Sequence, residues 1–280
     1  MSMEVAIITG GAGGMGLATA KIMGADHIVV ISDVKQEALD AAATELSSLG
    51  ITAKTFGCDI TDRVAVNDLF EFAMSLGQLA AVVHTAGVSP LMGSPEFIIR
   101  VNAIGTVNIT EAALKNSSDG FALVNVASIA GHMTPKFALP TRQYKYAFGN
   151  AATLQAKLTK AASRGPKKMR SGSAYSISKS FVIWYSAKMA AAFGSKGARI
   201  VSVSPGTFDT SMGRLEEASG SAKLTEIAAL KRFGTAEEIA ELLAFCASKK
   251  PGYLTGVDIL CDGGTKAGMS FKDLVTMARG

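Results

Sequence analysis

Three groups of residues in this sequence have the types and spacing to do chemistry. The first is Thr9-Gly10-Gly11-Ala12-Gly13-Gly14-Met15-Gly16, which ends a short apolar run and opens a helix-like stretch. Glycines there permit positive φ and let backbone amides approach a pyrophosphate, whose charge a helix N-terminus favours. Alone, such a turn is equally a tight strand–helix connection; its place at the first turn of an alternating chain raises the phosphate-binding reading. The second is Asp33, which stands 17 residues beyond Gly16 and just after the second apolar run. A carboxylate there accepts both hydroxyls of an adenosine ribose and repels a 2′-phosphate, which favours NAD over NADP, with no Arg or Lys in the glycine loop. Its bland alternative is a surface aspartate capping the next helix. The third is Tyr175 with Lys179, four apart in a helix-like segment and so on one face. A tyrosine with its ordinary pKa of about 10 is a poor base at neutral pH, and a neighbouring ammonium favours the phenolate.

These groups need a scaffold, and the chain supplies a repeating one. Apolar runs at Val5 to Thr9, His27 to Ser32, Thr52 to Cys58, Leu79 to His84, Phe121 to Ala127, Arg199 to Ser204 and Val257 to Leu260 alternate with amphipathic stretches. Those stretches are Gly14 to Met23, Lys35 to Ser48, and segments near 62–76, 97–116, 174–194 and 236–247. Val/Ile-rich runs separated by helices indicate strands buried on both faces, hence a parallel sheet. Right-handed crossovers place helices on both sides of it. The expectation is one α/β domain over residues 1–280: a doubly wound, Rossmann-type, seven-stranded parallel sheet.

Composition narrows the function classes. The sequence is 48% hydrophobic and 18% charged, which supplies a core and opposes disorder. No stretch of about 18 apolar residues free of charge and helix breakers is present, so no membrane partner is expected. MSMEVAIITG lacks a basic leader and a long apolar stretch, which opposes a signal peptide. Cys58, Cys246 and Cys261 lack metal-type spacing and read as core thiols in a reducing cytoplasm, and no metal site is expected. Nine Lys and Arg and no Asp or Glu fall between His132 and Gly172, leaving 19 basic against 23 acidic residues elsewhere. No nucleic-acid recognition motif accompanies that basic segment.

Taken together the motifs resemble the short-chain dehydrogenase/reductase family, in its short, non-extended branch. Thr9, Gly10, Gly14 and Gly16 match its TGxxxGxG, and Tyr175-Ser176-Ile177-Ser178-Lys179 its YxxxK. Asp59-Ile60 resembles the adenine contact after the third strand. His84-Thr85-Ala86-Gly87 resembles the NNAG motif, with both asparagines replaced. Val101-Asn102 matches the helix asparagine and Ser128 the catalytic serine. Pro205-Gly206 with Phe208 and Thr210 resembles the loop that closes on the nicotinamide, and Arg232, Gly234 and Asp262-Gly263-Gly264 complete the pattern.

The resemblance implies a cofactor site made by Gly10, Gly14, Met15, Gly16, Asp33, Asp59, Ile60, Ala86, Gly87, Tyr175, Lys179, Pro205, Gly206, Phe208 and Thr210. It implies Asn102, Ser128, Tyr175 and Lys179 as the catalytic set: Tyr175 the acid/base, Lys179 bound to the nicotinamide ribose, and Ser128 hydrogen-bonded to the substrate oxygen. Asn102 would hold a water linking Lys179 to solvent, or merely tie a helix to a strand. The implied activity is NAD-dependent interconversion of a secondary alcohol and a ketone, by a homodimer or homotetramer. A catalytically silent NAD(P)-binding sensor is the alternative. His84 and His132 read as scaffold or pocket wall, and Trp184 and Tyr185 as packing or interface residues.

The chain departs from the family between Ser128 and Tyr175, which stand 47 residues apart. The excess is the basic segment at about 131–172, punctuated by Pro135, Pro140, Gly165 and Pro166. Either another serine is catalytic or the segment is an insertion. Val-Asn-Val-Ala-Ser-Ile-Ala-Gly fits a strand-end serine, so Ser128 is kept. Some bacterial hydroxysteroid dehydrogenases and carbonyl reductases resemble this arrangement, which implies a bulky apolar or steroid-like substrate. Asn150 is placed to cap a helix to about Ser163, with Leu154, Leu158 and Ala161 on one face. Unopposed charge predicts that the segment is semi-detached rather than packed into the core. It would serve as a lid, as an anchor for an acidic substrate tail through Lys145, Lys157 or Arg142, or as a surface helix blocking an oligomer interface. The pocket walls are expected around 89–94, 132–150 and 207–230.

Overall fold

The computed structural model describes residues 4–216 and 222–269; part of the expected 207–230 wall therefore lies outside the described residues. Seven strands form one sheet: β1 (Glu4–Thr9), β2 (His27–Asp33), β3 (Ala53–Gly57), β4 (Leu79–His84), β5 (Ala122–Val126), β6 (Arg199–Pro205) and β7 (Asp258–Cys261). Their order is β3-β2-β1-β4-β5-β6-β7, and every neighbouring pair is parallel. The longer helices are α1 (Gly14–Met23), α2 (Gln36–Ser48), α3 (Arg63–Leu76), α4 (Pro95–Asn116), α5 (Ala151–Ala162), α6 (Arg170–Gly194) and α7 (Ala236–Ala247). A two-residue parallel ladder, Phe208–Asp209 with Gly234–Thr235, stands apart from the main sheet.

The strands form where they do because both of their faces are covered. Val5, Ile7, Val30, Val82 and Leu123 point into one core with α3, α4, α5 and α6. Their neighbours Ala6, Ile8, Val29, Ile31, Val83 and Val124 point into the other, with α1, α2 and α7. Alternate side chains leave opposite faces of a strand, so a run that is apolar throughout serves both layers. Caps fix the helix starts. Asp62 accepts from the Val64 amide at 2.8 Å to begin α3, and Thr235 and Glu238 form a capping box at α7. By length and composition α4 could cross a membrane, but 72% of its apolar window is buried in the core.

Strand order reverses between β1 and β4, which both pair with their neighbours at their carboxyl ends: Thr9 with Ser32 on one side and with His84 on the other. A crevice at that switch point is where open α/β sheets bind ligands.

The basic segment corrects the expectation of a semi-detached structure. Asn150 caps α5, its Oδ1 accepting from the Thr153 amide at 2.9 Å, and Leu154, Leu158 and Ala162 are buried in the core shared with α4 and α6. Tyr144 is fully buried and donates through its hydroxyl to the Ile177 carbonyl at 3.3 Å. It meets Phe181 edge-on at 5.4 Å, while Phe148 lies 5.9 Å from Trp184. Counting charge missed this because the charges and the apolar groups occupy different faces: Lys157, Lys160 and Arg164 are exposed, while Leu154 and Leu158 are buried.

Candidate active site

The glycine turn joins β1 to α1. Gly10 has φ +68°, and a Cβ there would lie 2.8 Å from the Ala86 nitrogen; a Cβ on Gly16 would fall on the Gly10 carbonyl. These two contacts bring the turn, the first turn of α1 and the Thr85-Ala86-Gly87 segment after β4 together. Gly14 and Met15 begin α1, and the preceding Gly13 supplies no side-chain cap, so the first amides of the helix stay open for an anion. Among the described residues nothing lies within 4 Å of the Cβ position of Gly13. The cradle fits a dinucleotide pyrophosphate on these grounds.

Asp33 ends β2 beside this turn. Its Oδ1 accepts from the Val34 amide at 2.8 Å and the Lys35 amide at 3.3 Å. Those bonds orient the carboxylate and leave Oδ2 without a partner among the described residues. Asp59 holds its own turn in the same way, Oδ1 accepting from the Thr61 amide at 2.8 Å. Ile60 is buried against Gly105, and its carbonyl accepts from Asn108 Nδ2 at 3.0 Å.

His84 is scaffold. Nδ1 lies 2.7 Å from Thr9 Oγ1 and Nε2 lies 3.2 Å from Thr106 Oγ1, both inside the protein. Burial, seconded by the Lys179 charge, pushes its pKa down to about 3, so the ring is neutral. It ties β1, β4 and α4 together beneath the cradle.

Asn102 sits in a π turn, Arg100–Gly105, within α4. Its Oδ1 accepts from the Val88 amide and its Nδ2 donates to the Val88 carbonyl, each at 2.9 Å, so the side chain clamps the segment that follows Gly87. Nδ2 also donates to Ser178 Oγ at 3.3 Å, and that hydroxyl donates to the Tyr175 carbonyl at 2.8 Å. The same Asn102 thus fixes both the loop and the first turn of the Tyr175–Lys179 pair. Ser178 was not singled out from the sequence; it lies inside the YxxxK match, and only its fold partner reveals its use.

Tyr175 and Lys179 share a face of α6, with Nζ 5.8 Å from the Tyr175 ring centroid. Lys179 is buried and donates to the Val126 carbonyl at 3.0 Å. A Cβ on Gly87 would lie 3.5 Å from the same Nζ and 3.1 Å from Asn102 Oδ1. Ser128 follows Val126 at the end of β5; its Oγ accepts from the Ala130 amide at 3.2 Å. The turn after it packs on α6, because a Cβ on Gly131 would lie 2.9 Å from the Ser180 amide nitrogen. Ser128, Tyr175, Lys179 and Asn102 therefore lie towards the carboxyl end of the sheet despite the 47 residues between Ser128 and Tyr175.

The closing loop begins at Pro205, whose carbonyl accepts from the Ile129 amide at 2.8 Å, and Gly206 bonds the Cys261 carbonyl at 2.8 Å. Phe208 is buried, and Thr210 faces the glycine turn, with its Cβ 3.6 Å from the Cβ position of Gly14. His132 belongs to a separate knot on this side, with Nε2 2.8 Å from Asp258 Oδ2 and 3.2 Å from Ser204 Oγ. The thiols of Cys58, Cys246 and Cys261 are raised by burial, Cys58 to about 12 and Cys246 to about 11, which makes them poor nucleophiles.

The pattern of the family described as short chain dehydrogenase matches residues 4–140, and that described as enoyl-(acyl carrier protein) reductase matches residues 151–266. The chain is 29% identical to the short-chain dehydrogenase/reductase bsc3 of Alternaria brassicicola, over 96% of this chain and 98% of that protein. It is 29% identical to 2-(S)-hydroxypropyl-CoM dehydrogenase 3 of Xanthobacter autotrophicus, over 94% and 97%. A short chain dehydrogenase from Burkholderia cenocepacia, solved in complex with NADP, has the same fold, with TM-score 0.74 at 24% identity over 94% of this chain and 98% of that one.

Proposed function

The chain belongs to the short-chain dehydrogenase/reductase family of oxidoreductases, and we propose that within it this protein uses NAD to interconvert a secondary alcohol and a ketone. One observation carries the reading: Lys179 joins the end of β5, which leads to Ser128, to the helix turn that bears Tyr175, beside the segment at Gly87.

When bound, the nicotinamide accepts or supplies the hydride. The protein positions it and manages the proton. Open amides at the start of α1, with Gly10, Gly14, Met15 and Gly16, hold the pyrophosphate. Asp33 takes the adenosine ribose through the oxygen its own turn leaves unused, and would oppose a 2′-phosphate. Asp59 and Ile60 frame the adenine, while Ala86, Gly87, Pro205, Gly206, Phe208 and Thr210 wall the nicotinamide end. Tyr175 holds the proton that leaves or joins the reacting oxygen, and Ser128 Oγ hydrogen-bonds that oxygen as its charge changes. Lys179 stabilises the deprotonated phenol and reaches the nicotinamide ribose. Asn102 acts as a positioning residue through Val88 and Ser178.

The substrate is proposed to be bulky and apolar, of steroid-like size, and the protein a cytoplasmic homodimer or homotetramer. Neither nucleic acid nor a membrane is proposed as a partner. A panel of ketones of rising bulk, followed by loss of NADH absorbance, tests the reading: turnover with NADH supports it, and no turnover of any member, or faster turnover with NADPH, overturns it.

A further inference from the structure

The basic segment lines a half-open hollow of about 480 Å³, a size typical of small-molecule sites. Lys136 and Arg142 line it from the segment before α5, and Lys157, Lys160 and Arg164 from α5 and its C-terminal end. None of these five cations has an ion pair or a side-chain hydrogen bond among the described residues, and no carboxylate lines the cavity. By contrast Lys145, in the same segment, lies 5.7 Å from the Tyr146 ring centroid and is not part of the lining.

The helix dipole explains only part of this. Cations gather favourably at a helix C-terminus, which accounts for Lys160 and Arg164. It does not account for Lys136 and Arg142 on another segment, where five like charges around one hollow repel one another unless an anion enters. The hollow also has an apolar wall. Phe137 is 93% exposed, the largest exposure of any phenylalanine among the described residues, and it lies on the lining with Leu139 and Pro140. An unpacked aromatic beside guanidinium and ammonium groups suits a planar base joined to phosphates.

We propose that this cavity is a second phosphate site, separate from the dinucleotide cradle, and that it takes a phosphorylated nucleoside, with the phosphates among the five cations and the base against Phe137. The nucleotide is either free or the handle of a larger substrate, and the two sources share this chemistry. The binding claim does not depend on the proposed dehydrogenase activity.

The probes are ATP and inorganic pyrophosphate, titrated calorimetrically into the full chain with NADH saturating, so that the cradle is already filled. One ATP per chain is expected, with an affinity that falls as salt rises. R142Q with K157Q should weaken ATP about tenfold or more, a loss of about 1.4 kcal/mol, while leaving NADH affinity unchanged. Phe137→Ala should weaken ATP and leave pyrophosphate unaffected. These residues are exposed, so the variants should fold, and their melting temperatures check that. Absence of saturable ATP binding with NADH bound, or unchanged ATP affinity in the double variant, overturns the proposal. A ketone bearing a nucleotide handle, compared with the same ketone without it, separates the sources. A KM rise confined to the first assigns the cavity to substrate, and unchanged KM for both, with ATP binding still lost, assigns it to a free nucleotide.

Discussion

The ammonium of Lys179 lies 5.8 Å from the centre of the Tyr175 ring, one turn further along α6. In the proposed mechanism this ammonium is the charge that stabilises the deprotonated phenol. On the proposed double role of Lys179, Lys179→Met should lower kcat and also weaken cofactor binding. Steady-state kinetics with separate titration of NADH checks this. A variant that loses kcat alone would confine Lys179 to proton chemistry.

Asp33 should set the choice of cofactor. Its Oδ1 is held by the amides of Val34 and Lys35, which aim the carboxylate. Asp33→Ala is expected to narrow or reverse the proposed preference for NADH over NADPH, chiefly by removing repulsion of the 2′-phosphate. The ratio of kcat/KM for the two cofactors reads it directly, and an unchanged ratio assigns selectivity to another residue.

His84 makes the fold sensitive to acid. Its pKa is 6.5 in the unfolded chain and about 3 in the folded one, so the unfolded state binds a proton first. Stability from this group is therefore complete above about pH 6.5 and is lost as pH falls towards 3. His84→Asn should flatten that slope in urea unfolding measured across the window. At neutral pH it should cost about 1–2 kcal/mol through the bonds lost to Thr9 and Thr106.

The packing of the basic segment makes a separate prediction. Tyr144 is fully buried against Phe181, so Tyr144→Ala should destabilise the protein by about 3–5 kcal/mol. Phe148→Ala should cost less, since Phe148 is 55% exposed. Replacing residues 134–170 by a linker would uncover Phe181 and Tyr185 and should lower solubility or change the oligomer seen by sedimentation. A detached segment would leave stability unchanged in all three variants.

Much of the architecture was legible because it rests on local patterns. Runs rich in Val or Ile marked six of the seven strands, the more mixed run from Thr52 to Cys58 marked the third, and Asn150 marked the start of α5. The glycine turn was legible as a strand–helix turn, but the tight packing of Gly10 on Ala86 and of Gly16 on the Gly10 carbonyl was not, because Ala86 comes from a distant strand end. What could not be read depends on distant partners. The link from Asn102 through Ser178 to Tyr175 spans 76 residues at its first step and leaves no periodic trace. The π turn around Asn102 is likewise invisible in composition. The basic segment defies its composition for the opposite reason: nine charges dominate the count, while Tyr144, Leu154 and Leu158 supply the buried face.

The most direct test of the account is Tyr175→Phe, assayed for NADH oxidation with whichever ketone the unmodified protein reduces. The substitution removes one oxygen and keeps the ring beside Lys179, so folding and cofactor affinity should persist. The account predicts a fall in kcat of about a thousandfold, within the range that a positioned proton donor contributes, with NADH affinity changed little. Turnover within a fewfold of the parent would contradict it, because the proton would then be travelling by another group.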